Sequence, residues 1–247
     1  MKAAQPDNEY TREFLFPGRL ACFQHRHGYR YSVDAVLLAH FISPAQDARL
    51  LDLGAGCGVI SLILAHRRPR LLLTALEVQP RLAALIRRNV EVNQLQERIT
   101  VIEGDCRKIG ELVEPGGFDW LVCNPPYGKA GAGRRSLENE SAIARHEIMT
   151  TVDEVVQAAA CALKDNGKAA FVFPFLRSDE LLAALNDKNL APSRLQVVHD
   201  HPGGQAKLIL VEAVKDGAPK LVRLPPFYVK MKPGGAYSPA MAACYQP

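Results

Sequence analysis

The sequence predicts an α/β fold in which a mostly parallel sheet carries helices on both faces. Two observations support this prediction. Between residues 49 and 175, short apolar runs of strand length alternate with longer segments in which apolar residues recur at helical spacing, and this alternation implies parallel strands joined by right-handed crossovers. Four predicted strands also end in small or acidic residues, at the sheet edge where ligands bind in such folds.

Residues 1–48 are predicted to form an extension that precedes the sheet. Residues 1–13 are polar and are expected to be loosely ordered. Residues 14–31 mix aromatic and basic side chains around Pro-Gly and His-Gly pairs, which favours two short strands joined as a hairpin. Ser32 is the expected N-cap of a helix over residues 33–41.

The main domain is assigned to residues 49–247, including a C-terminal tail on the substrate side. Strands are predicted at residues 49–53, 71–76, 99–103, 118–123 and 168–173. Helices are predicted after residue 58, from Pro80 to about Asn93, and at about residues 151–164.

Composition is that of an ordinary globular protein. With 247 residues, 48% of them hydrophobic and 23% charged, the chain is long enough for one large domain with appendages. The net charge of +4 permits an anionic partner without requiring one. No apolar run reaches the roughly 18 residues of a membrane span, and residues 1–6 lack a hydrophobic signal core. A cytoplasmic protein without a membrane partner is therefore expected.

Cysteine spacing gives no indication of a disulfide framework or a zinc cluster. The six cysteines are widely separated and contain no Cys-x-x-Cys pair. Cys22, His25 and His27 stand close together, as do His199 and His201, but neither group has a second ligand pair at zinc spacing. No metal is expected.

A glycine-rich turn after the first strand of the main domain indicates the type of cofactor. Its glycines stand at positions 54, 56 and 58, whereas a dinucleotide-binding turn requires a glycine at the position of Val59. Asp52 precedes the turn, where a carboxylate suits the ammonium end of an amino acid better than a pyrophosphate.

The next strand ends suit a nucleoside. Glu77, about twenty residues beyond the turn, is placed to bind a ribose diol, and Asp105 with the backbone of Cys106 is placed to bind an adenine edge. A ligand with an amino acid, a ribose and an adenine but no phosphate is S-adenosylmethionine. The predicted cofactor-binding residues of this edge are Asp52, Gly54, Gly56, Gly58, Glu77, Asp105, Cys106 and Asn124.

The motif Asn124-Pro125-Pro126-Tyr127 follows the strand at residues 118–123. Each proline biases the preceding residue toward extended backbone, so the Asn124 side-chain oxygen and the Pro125 carbonyl are expected to accept hydrogen bonds from one amino group. Tyr127 offers a flat face for a planar substrate such as a nucleobase. The alternative is that the motif is simply a tight loop.

The combination Asp-x-Gly-x-Gly-x-Gly, an acidic strand end, an Asp and Asn-Pro-Pro-Tyr resembles the class I S-adenosylmethionine-dependent methyltransferases that methylate planar or amide nitrogen. A narrower resemblance, to the bacterial tRNA1(Val) (adenine(37)-N6)-methyltransferase family, rests on residues 29–39, 144–147 and 204–213. It implies a Rossmann-like fold with a seven-stranded, mostly parallel sheet. It also implies that Asp34 lies beside the cofactor; the alternative is a carboxylate that stabilises the first turn of its helix.

The same resemblance implies methyl transfer to the N6 amine of an adenine in RNA, most simply tRNA at the anticodon loop, with Asn124, Pro125, Pro126 and Tyr127 as the catalytic residues. A DNA partner is not expected, and both a monomer and a homodimer remain open.

Two basic segments of the main domain are candidates for binding this RNA. Lys129, Arg134 and Arg135 lie in a glycine-rich loop that is either a lid contacting phosphates or a solvated loop. The basic, aromatic tail from Lys220 to Tyr237 suits loop RNA, or is an edge strand and packing arm.

Two other functions fit the motifs. A protein glutamine-N5 methyltransferase acting on release factors would use the same acceptors for an amide, although residues 1–48 are too short for the helical substrate-binding domain of those enzymes. A non-catalytic RNA-binding relic of the fold is the second alternative.

Overall fold

A computed structural model of the protein describes residues 9–27, 30–125 and 150–246. Two sheets are present. The first is a hairpin of two strands, β1 and β2, which pair antiparallel from Tyr10–His25 to Leu15–Leu20. The second is the central sheet, in the order β5-β4-β3-β6-β7-β9-β8, with two short strands, β10 and β11, both pairing with β8. The strands are Tyr10–Leu15, Leu20–His25, Arg49–Leu53, Leu72–Glu77, Ile99–Glu103, Phe118–Cys123, Leu163–Pro174, Leu190–His199, Ala206–Lys215, Val222–Arg223 and Phe227–Tyr228, numbered β1 to β11 in that order.

The central sheet confirms the predicted mostly parallel arrangement. Its strands β3 to β7 pair parallel with one another, and β9 runs antiparallel to both β7 and β8. The strands from β3 to β9 are the seven of the predicted sheet; β10 and β11, of two residues each, lengthen its edge.

Helices cover both faces of the central sheet, as predicted. Each face has its own core, since successive side chains of a strand point to opposite faces. On β3, Leu50 belongs to one core and Leu51 and Leu53 to the other. The helices are Val33–Phe41, Val59–Arg67, Pro80–Val92, Ile109–Leu112, Val152–Ala162, Ser178–Asp187 and Pro239–Ala243, numbered α1 to α7 in that order. The first core is completed by α1, α2, α3 and α7, and the second by α4, α5 and α6.

The N-terminal hairpin begins earlier than predicted. Strand β1 starts at Tyr10, so the expectation of loose order is wrong for residues 10–13, because these residues pair with residues 22–25 of β2. Ser32 occupies the predicted N-cap position of α1, although its side chain makes no capping hydrogen bond. Burial of the apolar side chains of α1, rather than a cap, stabilises this helix.

Part of the C-terminal tail is an edge strand. Phe227 and Tyr228 pair with Val198 and His199 at the end of β8, and Val229 beyond them is buried in the first core. This confirms the edge-strand interpretation for these residues, while RNA contact by the tail stays a prediction. Within the described ranges, no helix combines the length and the apolar character needed to cross a membrane.

Candidate active site

The predicted site residues gather at one edge of the central sheet. Strand β3 lies between β4 and β6, with Leu53 in register with Leu76 on one side and Cys123 on the other. Because these strands are parallel and neighbouring strands lie about 5 Å apart, their carboxyl ends are adjacent. Glu77 is the last residue of β4, and the glycine turn and Asn124 directly follow β3 and β6.

The glycine turn needs backbone conformations that other residues rarely adopt. Gly54, Gly56 and Gly58 have φ values of +72°, +61° and +81°, in the left-handed region that glycine enters without steric cost. A Cβ on Gly58 would stand 3.0 Å from Cγ2 of Ile86 in α3, whereas a Cβ on Gly54 would meet nothing within 4 Å. The turn is therefore tightly packed where α2 begins and open at Gly54.

Asp52 is fully buried under the start of α2. Its Oδ2 accepts hydrogen bonds from the Ser61 backbone nitrogen at 3.1 Å and from Ser61 Oγ at 2.7 Å. Its Oδ1 has no hydrogen-bond partner among the described residues. Burial raises the pKa of Asp52 to about 7, although the Ser61 hydrogen bonds favour the ionised form. Near neutral pH both protonation states of this carboxyl group are therefore populated.

Glu77 holds the glycine turn against the end of β4. Its Oε2 accepts a hydrogen bond from the Gly56 nitrogen at 2.8 Å, and its Oε1 accepts one from the Gln79 nitrogen at 2.9 Å. Burial raises the pKa of Glu77, and these backbone hydrogen bonds counteract that effect. Each carboxylate oxygen can accept more than one hydrogen bond, so Glu77 can hold the turn and bind a hydroxyl group.

Asp105 and Cys106 follow β5 at the same edge. Asp105 accepts hydrogen bonds from the Arg107 backbone nitrogen at 2.9 Å and from its Nε at 2.8 Å. These bonds lower the pKa of Asp105, so the group is ionised at neutral pH. Burial raises the pKa of the Cys106 thiol, which keeps the side chain neutral.

Asn124 and Asp34 are both half-buried. Asn124 follows the buried Cys123 at the end of β6 and precedes Pro125, which is buried; Asp34 lies in the first turn of α1. The remaining predicted residues, Pro126, Tyr127, Lys129, Arg134 and Arg135, lie outside the described residues.

Two features of this edge fit S-adenosylmethionine. The unpartnered Oδ1 of Asp52 can accept from an ammonium group, and the open side of Gly54 leaves room beside the turn. The acidic groups at 52, 77 and 105 are unsuited to phosphate but are acceptors for ammonium, hydroxyl and amine donors. Within the described ranges, no three His, Cys, Asp or Glu side chains lie close enough to share a metal ion.

Ser61 and Asn89 are structural partners of the site that sequence reasoning missed. Ser61 binds Asp52, and the side-chain nitrogen of Asn89 in α3 donates to the carbonyl of Cys57 in the glycine turn at 2.9 Å. Ser61 stands in the first turn of the helix after the turn, a position that signals such a contact to the preceding strand. Asn89 carries no comparable signal because its partner is 32 residues away.

The family model of the methyltransferase small domain matches residues 32–188. The protein belongs to this family. The methyltransferase resemblance and the cofactor predicted from the strand ends, S-adenosylmethionine, are thereby confirmed.

Several relatives are tRNA1(Val) (adenine(37)-N6)-methyltransferases. The chain is 30% identical to that of Aliivibrio fischeri (strain MJ11) over 152 residues, 62% of this chain and 63% of the relative, so the match spans less than two thirds of that protein. The relative from Shewanella sp. (strain MR-4) is 31% identical to this chain, and the match covers 66% of this chain and 68% of the relative. The relative from Shewanella loihica is 29% identical over 89% of this chain and 91% of its own length.

Solved structures share the fold. A predicted O-methyltransferase from Agrobacterium tumefaciens superposes with a TM-score of 0.70 at 22% identity, covering 86% of this chain and 95% of that protein. TrmN from Thermus thermophilus gives a TM-score of 0.54 at 18% identity, covering 73% of this chain and 48% of its own. These likenesses confirm the predicted class I methyltransferase fold.

Proposed function

We propose that the protein transfers a methyl group from S-adenosylmethionine to the exocyclic N6 amine of an adenine in RNA, with tRNA at the anticodon loop as the first candidate. The observation that carries this proposal is the position of Asn124. It follows Cys123, which is in register with Leu53, so an amide acceptor stands beside the strand that opens into the glycine turn. The names of the relatives support an adenine in tRNA as the substrate.

In this proposal, the acidic strand ends hold the cofactor. Asp52 receives its ammonium group, Glu77 its ribose diol, and Asp105 with the Cys106 backbone its adenine. Gly54 leaves room beside the turn, and in this proposal Asp34, in the first turn of α1, lies beside the same pocket. When bound, the cofactor supplies an electrophilic methyl group.

The chain's own residues hold and orient the amine. The Asn124 side-chain oxygen and the Pro125 carbonyl accept its two hydrogens, which aims the nitrogen lone pair away from them and toward the glycine turn. Pro126 keeps the motif extended, and Tyr127 stacks on the adenine after it leaves its own stack. Orientation and exclusion of water supply most of the acceleration, since the proton can leave after the new bond has formed.

The RNA itself is bound outside this pocket. Lys129, Arg134 and Arg135 meet backbone phosphates in the proposal, and the basic tail from Lys220 contributes further charge. Because tRNA is a cytoplasmic molecule in bacteria, the proposed substrate also requires a cytoplasmic location.

The test is transfer of labelled methyl groups by the purified protein to bulk tRNA and, separately, to peptide-release factor. Label in tRNA adenine N6, identified by mass analysis of nucleosides, is the expected result. Label in release factor alone would replace the proposal by glutamine methylation. Transfer to neither, with no heat of binding for S-adenosylhomocysteine, would favour the non-catalytic alternative.

A further inference from the structure

One face of the N-terminal hairpin carries an alternating stack of aromatic rings and guanidinium groups. Arg12 lies over the Phe14 ring at 4.5 Å and over the Phe23 ring at 5.5 Å, measured from Cζ to the ring centroid. Arg88 of α3 continues the series, at 4.4 Å from the Phe23 centroid and 4.5 Å from that of Tyr10. These five side chains, Tyr10, Arg12, Phe14, Phe23 and Arg88, are called the stacked face below.

Only the Phe14 end of the stacked face is turned away from the core, because Tyr10 and Phe23 pack against the first core. The opposite side of the hairpin buries Leu15, Leu20 and Cys22, whereas the Phe14 side chain is 55% exposed and Arg12 is exposed as well. Folding of the hairpin is accounted for by its buried side. The exposed Phe14 ring beside the exposed Arg12 guanidinium therefore offers a surface that suits a flat, anionic partner.

Two asparagines, Asn89 of α3 and Asn93 directly after this helix, fix the hairpin to the methyltransferase core. Asn89 Oδ1 accepts from the Phe23 nitrogen at 2.7 Å and its Nδ2 donates to the Phe23 carbonyl at 3.0 Å. Asn93, one helical turn later, makes the same pair of bonds with Ala21 at 2.9 and 2.7 Å. Their amides thus pair with the backbone edge of β2 as a neighbouring strand would.

This fixation places the stacked face at a defined position relative to the glycine turn. The same Asn89 nitrogen also donates to the Cys57 carbonyl of that turn. Glu9, directly before β1, pairs with Arg81 in the first turn of α3 at 2.8 Å, and α3 begins beyond the carboxyl end of β4. The Tyr10 end of the stacked face therefore lies toward the edge that carries Glu77 and Asn124.

We propose that the stacked face binds an unpaired segment of the RNA substrate, with one base stacking on the exposed Phe14 ring. Aromatic rings that accept bases, interleaved with cations that meet phosphates, are the chemistry of single-stranded nucleic-acid binding. Paired bases would not expose the faces that such a stack requires. The inference rests on the proposed function, since RNA must be the substrate for this surface to serve it.

The test compares Phe14→Ala with the wild-type protein in binding to bulk tRNA and in methyl transfer. Loss of one stacked base predicts tRNA binding weaker by about 5- to 100-fold, a raised KM for tRNA, and an unchanged kcat at saturating tRNA. Affinity for S-adenosylhomocysteine stays at the wild-type value. Phe14→Trp keeps a stacking surface and restores binding, which a merely structural role of Phe14 would not predict.

Leu72→Ala is the matched control, because Leu72 is a 50% exposed apolar residue at the start of β4, away from the hairpin. It leaves tRNA binding unchanged. Arg12→Gln should make the dependence of log Kd on log salt concentration shallower by about one unit, as expected for one phosphate contact.

The two proposals fail in different measurements. Equal binding of tRNA by Phe14→Ala and wild type overturns the role of the stacked face, whatever the methyl-transfer assay shows. A second outcome separates the proposals: Phe14→Ala binds tRNA more weakly than wild type, and the wild-type protein methylates only release factor. That outcome supports the stacked face as an RNA surface and overturns the proposed substrate. A wild-type protein that binds no tRNA overturns both.

Discussion

The two halves of the active edge differ in how they are held. On the cofactor half, Asp52 and Glu77 are buried; Glu77 accepts a hydrogen bond from Gly56 of the glycine turn, and Asp52 accepts hydrogen bonds from Ser61 of α2. On the substrate half, Asn124 is half-buried and directly follows the buried Cys123 at the end of β6. The cofactor half is thus built into the fold, so changes there alter stability and cofactor affinity together. Changes on the substrate half should alter transfer alone.

Asn124→Ala gives the largest effect and tests the substrate half directly. Removing an acceptor for the amine should lower kcat for methyl transfer by about 100-fold or more. Affinity for S-adenosylhomocysteine, measured by calorimetry, and the thermal midpoint should stay near wild type. Asn186→Ala, at an exposed position in α6, is the control. Turnover close to wild type would remove Asn124 from the catalytic group.

Glu77→Ala tests whether the cofactor half serves binding and structure at once. Loss of the ribose acceptor is expected to weaken S-adenosylhomocysteine binding by about 3 kcal/mol, since hydrogen bonds to a charged acceptor are lost. The Gly56 nitrogen loses its acceptor too, so the thermal midpoint should fall. Unchanged affinity with a lowered midpoint would assign Glu77 a structural role only.

Asp52→Asn tests the cofactor half through the pH dependence of the protein's stability. The pKa of Asp52 is about 7 in the folded protein, against 3.8 for the ordinary side chain. Between these values the folded state binds more protons than the unfolded state. The free energy of unfolding therefore falls as pH rises through this window, by up to about 1.4 kcal/mol per pH unit.

The variant lacks this titration, so its stability relative to wild type should increase from pH 5 to pH 7 in urea denaturation. Asp187→Asn, at an exposed position, provides the comparison. A difference between variant and wild type that does not vary with pH would show that Asp52 is ionised throughout the range.

Thr151→Ala is expected to have the smallest effect on the free energy of unfolding. It tests the start of α5, which follows the substrate half in the chain. Thr151 and Glu154 form a capping box at the start of α5, with the Glu154 nitrogen 3.2 Å from Thr151 Oγ1 and the Thr151 nitrogen 2.7 Å from Glu154 Oε2. Its loss should lower the free energy of unfolding by about 1 kcal/mol and leave affinity for S-adenosylhomocysteine unchanged. Thr151→Ser should retain the wild-type stability, because serine caps equally well.

Much of the active edge was predictable because its signals are local. The glycines at 54, 56 and 58 and the acid at 52 lie within one strand and turn, and glycine is required wherever φ is positive. The start of β1 was mispredicted because its partner strand, not its own polar composition, gives it order. Likewise, nothing near Ser32 signals that its side chain leaves the helix uncapped.

The sequence by itself determined the class of fold, the family and the cofactor, since strand–helix alternation and the glycine motif are set by residues close together in the chain. Only the tertiary structure decided that Asp52 loses all contact with solvent, and that Asn89 ties Phe23, 66 residues away, to the cofactor turn. Both depend on which elements pack together, and packing of distant segments leaves no periodic pattern in the chain.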